Sequence, residues 1–317
     1  MKTQLLPFDP SQCYLLCTHR EPDPDGAGAL LALWLYGQAS GLNFYPFLDQ
    51  CPPYMSFLPG YSALRALKAP NLSKPYTLIA LDCGHESRVW PSELLSSAKS
   101  IWNIDHHADN PHFAQINIVE PSISSTCELL FNLMEASKLK RSLDINKNLL
   151  AGMLFDTGGF RYPNTSTETL QIASRLVSEG VSLTEISEKV FSRWSAKSYR
   201  ALKLALQYME FPFDERFLLS WIPYQAIKNE DLDENDFEGV IQVLREDAQA
   251  KIIFLIREMQ ANHFKGSLRS KASYSVNDIA LRVNGGGHKL AAGFSTKEHQ
   301  AQDLRRLLLQ WVKEKLL

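Results

Sequence analysis

Aspartates and histidines gather in four short segments of this chain, a pattern suited to holding a pair of divalent cations. Thr18-His19-Arg20-Glu21-Pro22-Asp23-Pro24-Asp25-Gly26 comes first, then Leu81-Asp82-Cys83-Gly84, then Asp105-His106-His107, then Phe155-Asp156-Thr157-Gly158-Gly159. In the first segment the spacing H-x-x-x-D-x-D lets His19, Asp23 and Asp25 converge on one turn, with Pro22 and Pro24 stiffening it. Adding Asp82, His106 and Asp156 gives oxygen and nitrogen donors that suit manganese or magnesium, the imidazoles favouring manganese. Two ions need a shared ligand, and Asp82 is the natural bridge. A lone Asp at a strand end is ordinarily a helix cap or a solvated turn, and His85, His112, His263 and His299 read as surface or loop residues. The full set differs, because crowded carboxylates repel by ~4 kcal/mol per close pair at intermediate dielectric. Only cations or shared protons make that tolerable.

The elements that must position these groups are legible in part. Tyr14-Leu15-Leu16-Cys17 reads as a buried strand, and Gly26 to Tyr36 as a helix with an apolar side at Leu30, Leu31, Leu33 and Trp34. Gly26, Ala27, Gly28 and Ala29 are small enough to let that helix approach a ligand closely. Tyr76 to Leu81 and Ser100 to Ile104 are strands ending at Asp82 and Asp105, and open parallel sheets place ligands at such ends. Leu149, Leu150, Met153 and Leu154 recur at helical spacing, so Asp156 closes a helix. Thr165-x-x-Glu168 and Ser182-x-x-Glu185 read as capping boxes, with Gly180 a stop between them. A helix over Ala196 to Tyr208 leads to Phe211-Pro212-Phe213-Asp214; beyond it lie strands at Phe217 to Ile222 and Lys251 to Ile256, and a short helix from Asn277 to Val283. The expectation is an α/β protein: a parallel-sheet N-terminal domain with flanking helices over 1–195, a linker helix over 196–213, and a smaller α/β domain over 214–317.

Composition narrows the partners. With 317 residues the chain is long enough for two cores, and its net charge of −2 gives no long-range pull on a long duplex. The N-terminus lacks an apolar run for a signal peptide and no segment is long enough to span a bilayer, so the cytoplasm is the expected compartment. Cys13, Cys17, Cys51, Cys83 and Cys127 are odd in number and form no C-x-x-C pair, against structural zinc and against disulfides. The oligomeric state stays open, a homodimer being one option.

These motifs resemble those of the DHH phosphoesterase superfamily, named for the Asp-His-His run. Gly266-Ser267-Leu268-Arg269-Ser270 and Gly285-Gly286-Gly287-His288 are similar to the substrate motifs of the DHH-associated C-terminal domain, so the resemblance covers nearly the whole chain. Length and the two-domain plan are most similar to the bacterial oligoribonuclease and adenosine 3′,5′-bisphosphate (pAp) phosphatase group. The first motif departs from the commonest form: Glu21-Pro22-Asp23-Pro24-Asp25-Gly26 stands where Asn-Pro-Asp-Gly-Asp-Ala is more usual, with its ligand positions kept. The resemblance implies one divalent ion held by His19, Asp23 and Asp82, and another by Asp25, Asp82, His106 and Asp156. It also implies that Asp105 orients the ligands and that His107 faces the scissile phosphate.

In the C-terminal motifs, Gly285, Gly286 and Gly287 would form a nest of backbone N–H groups for an anion, with His288 a further donor. Arg269 would hold a phosphate through parallel hydrogen bonds and Ser267 would add another. If one domain cuts a phosphate while the other anchors the nucleotide, the substrate must be short. The expected activity is hydrolysis of short oligoribonucleotides such as pApA to mononucleotides and of pAp to AMP, with two Mn2+ or Mg2+ ions. Rivals are a linear or cyclic dinucleotide phosphodiesterase, an inorganic pyrophosphatase, and a nucleotide-binding sensor without turnover. A nuclease for long single-stranded DNA would need more chain.

Overall fold

The computed structural model of the chain describes residues 6, 8–20, 22–48, 52–66, 75–89, 92–191, 194–271 and 274–316, and only the backbone of residues 63, 65, 66 and 288. Cys51 and most of the N-terminal segment lie outside the described residues. The chain divides into two compact units, residues 1–193 and 194–317. No helix among the described residues is long and apolar enough to cross a membrane.

The first unit runs β1 (Cys13–Cys17), α1 (Pro24–Ser40), β2 (Asn43–Pro46), α2 (Tyr61–Ala66), β3 (Thr77–Leu81), α3 (Glu93–Ser97), β4 (Ser100–Asp105), β5 (Ile116–Val119), α4 (Thr126–Ala136), α5 (Leu143–Asp156), α6 (Thr167–Ser178) and α7 (Leu183–Phe191). Its five strands are all parallel, in the order β2-β1-β3-β4-β5. Both faces are covered, which explains why β1 and β3 are apolar without alternation. Leu16, Ile79 and Leu81 pack under α1, α4 and α5. Leu15, Leu78 and Ala80 face Leu94 and Val89 on the other side. The strand order reverses between β1 and β3, and ligands of open α/β sheets bind outside the carboxyl ends at such a crossover. His19 follows β1 and Asp82 follows β3.

Helix α1 is buried continuously from Pro24 to Trp34, so it is a core helix rather than an amphipathic surface one. Of its small residues, Gly26 lies against the candidate donors, where a Cβ would stand 3.2 Å from Asp82 Oδ2 and 2.3 Å from Thr18 Oγ1, while Gly28 serves helix packing. A Cβ on Gly28 would stand 2.7 Å from the backbone carbonyl oxygen of Asn148 in α5. One cap also differs from expectation. The box before α6 is Ser166 with Thr169, one residue beyond Thr165 and Glu168.

The second unit runs α8 (Ala196–Gln207), β6 (Met209–Glu210), β7 (Phe217–Ile222), α9 (Tyr224–Asn229), α10 (Val240–Arg245), β8 (Ile252–Gln260), β9 (His263–Ser270), α11 (Asn277–Arg282), β10 (Gly286–His288), β11 (Ala291–Thr296) and α12 (Ala301–Leu316). Its sheet has the order β10-β11-β9-β8-β7-β6, with β7 and β8 parallel and the other pairs antiparallel. Ile252, Phe254 and Ile256 face α11 and α12, while Ile253 and Leu255 face α8 and α10. The helix expected as a linker therefore belongs to this unit: Ala201, Leu204 and Ala205 of α8 are buried in its core.

Gly28→Ala is expected to destabilise the first unit. Overpacking against a backbone oxygen costs about 1–3 kcal/mol, which outweighs a helix-propensity gain of up to about 1 kcal/mol. The measurement is the urea midpoint by circular dichroism, and an unchanged or higher midpoint would refute the tight crossing of α1 and α5.

Candidate metal centre

Each donor is held by a specific backbone device. Asp23 caps α1: its Oδ1 accepts the N–H groups of Asp25 (2.9 Å) and Gly26 (3.1 Å), while its Oδ2 stands 3.8 Å from His19 Nε2. Asp25 lies in the first turn of α1, fully buried. Its carboxylate is gripped by the start of α4, Oδ2 accepting from Thr126 N (2.7 Å) and Oδ1 from Cys127 N (2.9 Å). Asp82 leaves β3 in left-handed backbone, with φ 58°, a conformation Asp tolerates better than most residues. Asp156 is the last residue of α5.

The two oxygens of Asp82 face different partners. Oδ2 lies 3.5 Å from His19 Nε2, and Oδ1 lies 3.6 Å from His106 Nε2. His106 Nε2 also stands 3.1 Å from Asp156 Oδ2 and 4.0 Å from Asp25 Oδ2. Two groups result, His19 with Asp23 and Asp82, and Asp25 with His106 and Asp156, the donor atoms within each lying within 4.8 Å of one another. A third combination, Asp82 with His106 and His107, meets the same limit. His107 Nδ1 is otherwise engaged, however, in a 2.7 Å hydrogen bond with Asp105 Oδ1. Every residue expected at the centre is thus brought to one place.

Asp105 acts on a narrower set than expected. Its partners are His107 and Asn110, whose Nδ2 donates to Asp105 Oδ2 (2.6 Å) and to Asn103 Oδ1 (2.7 Å). Asn103 in turn donates to the carbonyl oxygens of Ala80 and Cys83, tying β4 to the end of β3. Among the described residues the Asp105 carboxylate fixes the imidazole of His107.

Charge in this cluster is out of balance. Burial alone would lower the imidazole of His19, but hydrogen bonds and charges from Asp23 and Asp82 push it up to about 10. His106 is likewise raised against its burial, by Asp156, Asp82 and Asp25, and His107 by Asp105 and Asp82. Burial would raise Asp82, yet the hydrogen bond from His19 and the three imidazoles hold it below the usual carboxylate range. Burial and the charges of Asp156 and Asp82 push Asp25 well above that range, and burial carries Asp156 up to about 6 with His106 opposing it. The aspartates outnumber the imidazoles five to three, so even fully protonated histidines leave negative charge unmatched. Oxygen and imidazole donors in that arrangement fit divalent cations.

In the second unit, Ser267 and Arg269 lie on β9 and share one sheet face. Gly293 pairs with Ser267 and Gly286 pairs with Gly293, while His288 reaches the Arg269 row through Ala291. The side chain of His288 lies outside the described set. The expected glycine nest does not form: Gly286–His288 is a sheet strand, β10. Gly285 spends its N–H on Ala280 O (2.8 Å), and a Cβ there would stand 2.2 Å from Gly293 O, so it serves packing. Beside Gly286 an added Cβ would meet no atom of the described residues within 4 Å. As the sheet's edge strand, β10 still turns some of its N–H groups away from the ladder.

Sequence reasoning missed the start of α4. Thr126 donates its backbone N–H to Asp25 and its hydroxyl to Asp82 Oδ1 (3.0 Å), joining both carboxylates. The signal was present in Ser125-x-x-Glu128, a helix start in which Ser125 caps Glu128 N. Thr126→Val should weaken divalent-cation binding by about 10- to 100-fold, as loss of outer partners does, with Thr126→Ser close to wild type. Calorimetric titration with Mn2+ measures both, and equal affinity in the Val variant would show that the hydroxyl does not orient Asp82.

Comparison with known proteins agrees with this architecture. The model of the DHH family, N-terminal domain, matches residues 14–155, and that of the DHHA1 domain matches residues 215–314. The bifunctional oligoribonuclease and PAP phosphatase NrnA of Thermus thermophilus is 30% identical over 301 residues, spanning 95% of this chain and 89% of its own. A probable NrnA of the same description from Streptococcus mutans is 27% identical, over 97% of this chain and 98% of its own. The crystal structure of an exopolyphosphatase-related protein from Bacteroides fragilis shares the fold, with a TM-score of 0.87 over 96% of this chain and 92% of that one, at 24% identity. With both domains matched in order and a relative alike along nearly all its length, the chain belongs to the DHH family and carries a DHHA1 domain.

Proposed function

We propose that the chain is a phosphoesterase that uses two divalent cations to hydrolyse short oligoribonucleotides to mononucleotides and pAp to AMP. The observation that carries it is the carboxylate of Asp82, one oxygen toward His19 and the other toward His106. A bridge between two ions needs that disposition. His19, Asp23 and Asp82 would hold one ion, and Asp25, Asp82, His106 and Asp156 the other, with Mn2+ favoured by the imidazoles. When bound, such a pair supplies Lewis-acid charge to phosphoryl oxygens and acidifies the attacking water.

The remaining work falls to side chains of the chain itself. Asp105 holds His107 by Nδ1, so Nε2 is the nitrogen assigned to the substrate. From that nitrogen His107 would donate to a phosphoryl oxygen or to the leaving oxygen. Asn110 keeps Asp105 in place for that task. In the second unit Ser267, Arg269 and the edge at Gly286, Gly287 and His288 would grip a phosphate of the nucleotide. The substrate class is supported by relatives that bear the oligoribonuclease and PAP phosphatase description and align along nearly the full chain.

The test is product release by the purified chain with Mn2+, offered pAp, pApA, longer RNA, cyclic di-AMP and pyrophosphate side by side. AMP from pAp and pApA is expected to dominate; a rate dominated by pyrophosphate would overturn the nucleotide assignment. Chelation should abolish turnover and Mn2+ should restore it. His107→Ala should lower kcat by about 10²- to 10⁴-fold while leaving Mn2+ binding in place. Loss of Mn2+ binding in that variant would move His107 into the ligand set instead.

A further inference from the structure

The sheet face that carries Ser267 also carries an arginine left out of the activity proposed above. Ser267 on β9 stands opposite Leu255 on β8, and Arg257 follows two residues later on β8, opposite Lys265. Arg257 and Ser267 therefore point to the same side. Arg257 is only 8% exposed, and its Nη2 donates to Ser267 Oγ at 2.9 Å. Its Nε, also buried, has no hydrogen-bond partner among the described residues. The guanidinium stands 5.6 Å from the ring centre of Phe237. Glu234 is the acidic group whose charge reaches it, and that carboxylate is already paired with Lys265. Burial accordingly pulls the guanidinium below its ordinary value, with Glu234 opposing. A cation buried with so little matching negative charge is costly unless an anion comes to it.

The hydrogen bond decides what Ser267 can do. A serine hydroxyl both donates and accepts. Once Arg257 donates to its oxygen, the hydroxyl proton turns elsewhere, toward an acceptor. The pair converts an ambivalent group into a donor backed by positive charge, and a phosphate oxygen is the acceptor that suits it.

We propose that Arg257 is a positioning residue that commits Ser267 to donate to a phosphate oxygen of the nucleotide. This rests on the phosphate grip assigned above to Ser267 and Arg269. The effect belongs to binding, so it should appear in KM more than in kcat.

Steady-state kinetics on pAp with Mn2+ would compare the wild type with Arg257→Met, Arg257→Lys, Ser267→Ala, Arg269→Ala and the Arg257→Met/Ser267→Ala double variant, with Tm recorded for each. Arg257→Met and Ser267→Ala are each expected to raise KM about tenfold, as loss of a hydrogen bond to a charged group does, with kcat changed far less. The double variant should be no worse than the worse single one, because both act through one hydroxyl. Should Arg257→Met fail to fold, Arg257→Lys keeps the charge without the planar fork and should raise KM about threefold. A wild-type KM in the folded Arg257 variants beside a raised KM in Ser267→Ala would overturn the positioning role and leave Arg257 a packing residue. An additive double variant would overturn it too. Unchanged KM in both Ser267→Ala and Arg269→Ala would instead overturn the phosphate grip itself, and this inference with it.

Discussion

Crowding of buried carboxylates around Asp82 is the constraint on which the first unit is built. Like charges at such distances repel strongly in a medium that screens them less than water. The fold offsets this with oriented dipoles. The N-terminus of α1 meets Asp23 as its cap and Asp25 in its first turn, and the N-terminus of α4 meets Asp25 with two N–H groups. Helix starts favour negative charge. Neutral donors complete the compensation at the edges, Thr126 on Asp82 and Asn110 on Asp105. What positive charge remains to be supplied is the demand that divalent cations meet.

The centre was legible because its donors sit at places the sequence marks. His19, Asp82 and Asp105 end or follow apolar runs, and Asp156 ends a run of helical period, so four local patterns were enough to name the set. Their shared location followed from strand order, which local patterns do not contain. The supports were less legible. Thr126 and Cys127 reach Asp25 across a hundred residues of chain, through a helix whose start reads like any capped helix. Asp105 was expected to steer the ligands at large, but the direction of a side chain at a strand end depends on Asn103 and Asn110 beside it.

Glycines were the hardest to read in both units, because one residue type serves opposite purposes. In α1 they permit two helices to touch, and in the run before His288 they permit a strand to lie against Phe294 and Gly293. Gly28 and Gly285 are packing positions, whereas Gly26 lies against Asp82 and His19. β9, by contrast, carries the motif residues in plain alternation, Phe264, Gly266, Leu268 and Ser270 inward and Lys265, Ser267 and Arg269 on the other side. That alternation puts Arg257 in company with Ser267, a relation across strands that spacing along the chain does not disclose.

The span of the centre bears on how the protein comes into being. Its donors run from His19 to Asp156, and the bonds that hold Asp25 come from α4, formed well after α1 in synthesis. A ribosome-bound chain that stops short of α5 lacks Asp156 altogether and leaves His106 without its nearest carboxylate. The group of Asp25, His106 and Asp156 is therefore complete only in a nearly finished first unit, whereas His19, Asp23 and Asp82 have all been synthesised by the residue after β3.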